Sequence, residues 1–470
     1  MEPSTRTGWV RVCPHHDAFT VVMSLLDGNS FARLQSTDRA CRNVLRGYEA
    51  AFYATRVADH AWFFGELAGN DCGGPSPALS RYLRLRASSH RILVIGGSSN
   101  RGDQDQYLSS VEEFSPATAP LSPSATVAPP LLVARDACAL AVSSRHRHHA
   151  VFAVGGWDGD RALATVESLR PEGSGWEMCS QRLVKARCFT ASVVAGDGTL
   201  LVFGGGEHLY QGAEVFTSTE ASSAASGSRP QGPFNIRPEL RLLAPRTGHC
   251  CAINRLTNQV LVVAGYGGGS IYRQTAELLD LTGWRPKDEV ATSAGENKES
   301  GNSLFQPLSH QLSQPRTGCV GGFGPHGAFY CCGGSTDGGD AVSLLERLDL
   351  REPTGFELRA PMAQRRGYFS GCFALDGRLY VSGGSHLMPA ELHFHEGVPH
   401  IIRPQVTENS IECYDPRMDR WETIDQTLMT ERADHQMGVL LQLNDQARRA
   451  LVSRANPVVD VWQRRSMMTL

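Results

Sequence analysis

Six glutamates and six arginines recur in register along the 470-residue chain, and no other residues are so regularly placed to do chemistry. The glutamates are Glu112, Glu167, Glu214, Glu277, Glu346 and Glu412, each directly after an apolar residue. The arginines are Arg135, Arg187, Arg246, Arg316, Arg366 and Arg432. Two arrangements fit this pattern. Several guanidinium groups converging on one opening would bind acidic or phosphorylated ligands through paired N–H bonds. Alternatively, each arginine clips to a glutamate and holds strands together. Recurrence in every copy favours the clip for most of them, because a ligand site has no need of strict symmetry. Two or three arginines are still expected to face solvent.

Other reactive residue types form no recognisable constellation. Histidines cluster at His146, His148, His149 and at His393, His395, His400, but no cysteine or carboxylate spacing completes a zinc pattern, so solvated loop histidines and no metal are expected. The thirteen cysteines include no C-x-x-C pair and read as buried, reduced thiols. No nucleophile elbow, Walker loop or dinucleotide fingerprint occurs; the G-x-G-G-G at Gly265–Gly269 does not open a helix. The chain is therefore expected to be no enzyme and to carry no cofactor. Loop residues Trp157, Asp158, Tyr210, Tyr266, Tyr272 and His386 are the other candidate contacts, and Trp157 either anchors a partner or packs across its own turn.

Short strands must position these groups. Apolar runs stop on glycine at Ile95-Gly96-Gly97, Val154-Gly155-Gly156, Phe203-Gly204-Gly205, Ala264-Gly265, Cys332-Gly333-Gly334 and Ser382-Gly383-Gly384. They lie roughly 50–70 residues apart, the period of a four-stranded repeat. Each run is followed by a strand with the central glutamate. An aromatic often comes next (Trp176, Trp284, Phe356, Trp421), and then a Met or Pro with the arginine. A last strand leads from the arginine toward the next glycine pair. The segments around Ala117–Pro130, Thr217–Pro233 and Lys287–Ser313 read as insertions, and the sixth copy is the most regular.

Residues 91–443 so patterned resemble the kelch repeat. The resemblance implies a mostly β fold, a six-bladed β-propeller in which residues at and just after each arginine line a peptide-binding face. The first glycine pair has no arginine-led strand before it, whereas the last unit ends with one, Arg432 to Leu441. That strand is expected to close the ring and remove open sheet edges.

Residues 1–75 read as a small helical domain, 76–90 as a linker and 444–470 as an unassigned tail. Phe19, Val22, Met23 and Leu26 share one helical face. With Pro14, Leu34 and Arg39-x-x-Arg42 they are similar to an F-box, although Cys41 stands where that motif has Trp and Asp38 where it has Cys. The resemblance implies that Pro14, Phe19, Val22, Met23, Leu26 and Leu34 dock a Skp-type adaptor of a cullin-type ubiquitin ligase, with the propeller holding a substrate protein. The alternative is a non-catalytic kelch scaffold with the helices as a cap. A net charge of −3 favours neither nucleic acid nor a membrane surface, and with no signal peptide or spanning run a cytoplasmic or nuclear location is expected.

Overall fold

The computed structural model describes residues 90–441, apart from 101–105, 116–124, 144–149, 171–174, 196–197, 207, 217–233, 255–256, 285–302, 325–326, 375 and 396–397. The F-box-like segment with Pro14, Phe19, Val22, Met23, Leu26 and Leu34, and the tail from residue 444, lie outside the described residues. His90–Gln442 forms one compact unit.

Six antiparallel four-stranded sheets make up that unit. From the inside outward, blade 2 runs Ala139–Ser143, Ala150–Val154, Val166–Leu169, Trp176–Met178. Blade 3 runs Ala191–Val194, Leu200–Phe203, Ala213–Phe216, Asn235–Arg237, and blade 4 runs Cys250–Asn254, Gln259–Val263, Thr275–Asp280, Phe305–Gln311. Blade 5 is Val320–Phe323, Phe329–Cys332, Leu345–Leu348, Phe356–Arg359, and blade 6 is Ser370–Phe373, Leu379–Ser382, Ser410–Asp415, Arg420–Thr427. Blade 1 takes its innermost strand, Gln436–Leu441, from the chain end and adds His90–Ile95, Val111–Phe114 and Thr126–Ala128. The six innermost strands neighbour one another in a closed cycle. The fold is a six-bladed β-propeller.

Packing follows from the sequence of the second strands. Leu200–Phe203 and Phe329–Cys332 are buried at every position, because one face meets the blade before and the other the blade after. The apolar core accordingly divides into six clusters, one between each pair of neighbouring blades. In the cluster between blades 3 and 4, Leu201 and Phe203 face Val260 and Val262. Ring closure uses the same materials: His90–Ile95 pairs with Leu441–Gln436, Ile92 opposite Val439 and Val94 opposite Met437.

A second closed circuit runs nearer the axis. The residue two after each arginine, namely Ala137, Phe189, Gly248, Gly318, Tyr368 and Asp434, has φ between 45° and 61°. In this left-handed conformation its N–H points at the preceding blade. Phe189 N–H donates to Ala137 O, Gly248 to Phe189, Gly318 to Gly248, Tyr368 to Gly318, Asp434 to Tyr368 and Ala137 to Asp434, all at 2.7–2.9 Å. Six backbone hydrogen bonds thus link the six blades into a belt.

Two details differ from the sequence reading. Within two of the presumed insertions lie the outer strands of blades 1 and 4, Thr126–Ala128 and Phe305–Gln311. The sixth copy is the most elaborate instead of the most regular. Between Gly384 and Ser410 it adds two hairpins, Ser385–Leu387 with Gln405–Thr407 and Glu391–His395 with Val398–Ile402. Among the described residues, the single helical segment is a three-residue 3-10 turn at Pro238–Leu240, and no helix is long and apolar enough to cross a membrane.

Candidate functional site: the aromatic mouth of the propeller

Each blade is entered by a segment from the previous blade's outer strand, and the recurrent ion pair fastens that segment down. Arg135 Nη2 lies 2.5 Å from Glu167 Oε1, and the same carboxylate accepts the N–H groups of Leu132 and Val133. Arg187–Glu214, Arg246–Glu277, Arg316–Glu346 and Arg366–Glu412 pair at 2.8–2.9 Å, and Arg432 pairs with Glu112. In five blades Nη1 also donates to the last carbonyl before or within the glycine turn, for example Arg135 to Gly155 O at 2.8 Å and Arg246 to Ala264 O at 2.7 Å. No arginine of the six is more than 1 % exposed. The expectation that two or three of Arg135, Arg187, Arg246, Arg316, Arg366 and Arg432 face a ligand is therefore corrected. A buried guanidinium needs a buried carboxylate, and each repeat supplies its own.

The glycine turns make room for this clip. A Cβ on Gly155, which has φ 64°, would stand 2.4 Å from the Arg187 carbonyl oxygen of the next blade. Past the turn, the chain pairs with the residue after the arginine, as in Asp136 with Trp157, Thr247 with Tyr266, Thr317 with Ser335 and Gly367 with Ser385. All these loops therefore gather on one end of the axis, around the belt. Adjacent loops lean on one another there: a Cβ on Gly159 would meet the Tyr107 ring of blade 1, and one on Gly268 would meet Leu209 of blade 3.

At the centre is a concavity to which every blade contributes the residues two and three after its arginine, from Ala137 and Cys138 to Asp434 and His435. Phe189 and Tyr368 face each other edge-on across it, their rings 6.2 Å apart. Asp434 sits in the same wall. Burial, with Asp136 nearby, pushes its carboxyl well above the usual carboxylate range. Burial, then Asp434, raises the Tyr368 hydroxyl to about 12. His249 lies deeper, and burial with the charges of Arg246 and Arg187 lowers its imidazole to about 3. The axis thus opens between the rings of Phe189 and Tyr368.

Around this opening, the sequence candidates fall on this face. Trp157 is half-buried, tied by backbone bridges to Asp136 and Ala162. Asp158 shapes its own loop: Oδ1 accepts the N–H groups of Asp160 and Arg161 at 3.0 and 2.9 Å. Desolvation opposes its charge, but those bonds and the Arg161 charge outweigh it and hold the carboxyl below its ordinary value. Tyr266 and Tyr272 meet at 5.3 Å in an edge contact. Lys185 Nζ stands 4.8 Å and Arg187 Cζ 5.1 Å from the centre of the Tyr210 ring. His386 lies 3.6 Å from Glu408. Sequence reasoning named none of Tyr107, Phe189, Tyr368 or Asp434. Their signal was the fixed offset of two from each arginine for the last three.

No family model matches the chain, and no curated protein matches it in sequence. Among solved structures it is similar to one described as "Structure of YjhT", at 10% identity and a TM-score of 0.47, over 71% of this chain and 97% of that one. The propeller rests on this chain's own six sheets.

Proposed function

We propose that the protein is a non-catalytic interaction module of the kelch type, which grips a segment of a partner protein on the mouth of its propeller. The observation that carries this reading is the composition of that face. Trp157, Phe189, Tyr107, Tyr210, Tyr266, Tyr272 and Tyr368 are all half-buried; Phe189 and Tyr368 line the axial concavity and the other five stand on the loops of the same face. Large rings held partly rigid give contact area at low entropic cost, and Tyr and Trp dominate the energetics of protein interfaces. The loops that carry them vary among the blades, while the frame beneath is repeated.

The finer reading is a substrate-recognition subunit of a cullin-type ubiquitin ligase. In it, Pro14, Phe19, Val22, Met23, Leu26 and Leu34 bind a Skp-type adaptor and the mouth binds the substrate. Such a receptor contributes proximity and no bond-making group. With the arginines sealed, an acidic or phosphorylated substrate has no special claim. Co-purification of the Skp-type adaptor with the full chain, compared with a deletion of residues 1–75, tests this reading. Adaptor retained only by the full chain supports it. Adaptor absent from the intact protein leaves a propeller scaffold without a ligase.

A further inference from the structure

The clip of blade 5 departs from the other five. Arg316 keeps its pair with Glu346, but Nη2 also turns to Cys331 Sγ at 3.7 Å, and its Nε and Nη1 have no hydrogen-bond partner although the side chain is fully buried. Cys331 stands opposite Glu346 in the sheet. The equivalent residue is Val94, Ala153, Val202, Val262 or Val381 in the other blades, each opposite its own glutamate. A guanidinium that gives up carbonyl acceptors for a sulfur is set to stabilise negative charge on it.

Two more sulfurs are at hand. Cys250, on the innermost strand of blade 4, places Sγ 3.9 Å from Cys331 Sγ, and the Sγ atoms of Cys250, Cys319 and Cys331 all lie within 4.8 Å of one another. Three sulfurs arranged about one metal ion at bonds of about 2.3 Å stand about 4 Å apart. Among the described residues no further histidine, cysteine or carboxylate joins the group. Cys319 also lines the axial concavity, which gives an ion a route in.

We propose that Cys250, Cys319 and Cys331 form a three-thiolate site for a soft, low-coordinate metal ion of the copper(I) class, between blades 4 and 5. Thiolates select copper(I), zinc and iron–sulfur centres, and a structural zinc site takes four ligands where this group offers three. Each thiol loses its proton on coordination, and Arg316 Nη2, 3.7 Å from Cys331 Sγ, stands beside the charge that develops.

The test is anaerobic titration of the reduced full-length protein with copper(I) held by a chromophoric chelator. The wild type is expected to withdraw one equivalent under conditions where Cys331→Val withdraws less than a tenth of that. Valine is what four other blades carry at this place, so the variant keeps the fold, and Cys319→Ala serves as a second loss variant. Cys179→Ala, outside the cluster, is expected to match the wild type. X-ray absorption of the loaded protein should give three copper–sulfur bonds. Equal withdrawal by wild type and Cys331→Val, no withdrawal at all, or a Cys250–Cys331 disulfide formed in place of metal binding would overturn the proposal. So would a four-coordinate zinc retained in preference to copper(I).

Discussion

Arg432 of the last repeat donates to Glu112 of the first, across 320 residues of sequence, and the same carboxylate accepts the N–H groups of Met429 and Thr430. This pair locks the closing segment onto blade 1 just before strand Gln436–Leu441 completes that sheet. Its two charges are almost wholly removed from water. A buried pair is worth little against an apolar replacement of both partners, yet removing one partner strands the other charge.

Arg432→Met is therefore expected to cost about 3–5 kcal/mol, much of which the double variant with Glu112→Leu should recover. Urea unfolding of the two single variants and the double measures both. A double variant as unstable as the sum of the singles would contradict the clip.

Gly155→Ala forces a methyl group toward the Arg187 carbonyl in a left-handed conformation. Strain of this kind costs about 1–3 kcal/mol before the clash is counted. Gly269, also left-handed, has nothing within 4 Å of its would-be Cβ, so Gly269→Ala is expected to cost less. Thermal unfolding of the two variants ranks them.

Asp434 gives a pH signature with a definite sign. Its folded-state pKa is raised, so the folded protein holds the proton more tightly than the unfolded chain. The contribution to stability is complete below about 3.8, the ordinary value, and is lost as pH rises through the folded value. Asp434→Asn should thus stabilise the protein at neutral pH and make no difference at pH 3.5. Denaturant midpoints of both proteins across that range decide it.

His249 has the opposite sign. Its folded value of about 3 lies below the ordinary 6.5, so the unfolded chain takes up a proton that the folded protein refuses. Stability is present above 6.5 and falls as pH drops toward 3. Blade 6 carries Phe369 at the equivalent place, and His249→Phe is expected to flatten the slope between pH 6.5 and 4. An unchanged slope would place the acid sensitivity elsewhere.

The frame was legible because it is constrained at the backbone. Gly155 must pass close to Arg187, Glu167 must reach Arg135, and each requirement leaves one residue type at one spacing. The outer strands were not legible: Phe305–Gln311 faces solvent at most positions, and its exposed residues carry no alternation to read. The blade 6 hairpins went unread because their presence moves no glycine, glutamate or arginine out of order. The arginine ring was legible as a pattern but not in its orientation, since a clip and a ligand ring need the same residues. The cysteines of blades 4 and 5 lie 81 residues apart and meet only across a blade interface, which no local spacing reveals.

The mouth is where the account is most exposed to test. Trp157→Ala, Tyr210→Ala and Tyr368→Ala combined remove three rings from the face and leave the clips and the belt intact. Truncating a central aromatic at an interface commonly costs about 2 kcal/mol or more. Proximity labelling in cells, with the full chain and the triple variant expressed at equal levels, reads the effect directly. The partners specific to the propeller should be lost from the triple variant while its unfolding free energy stays within about 1 kcal/mol of the wild type. An unchanged partner set on a folded triple variant would contradict the mouth as the binding face.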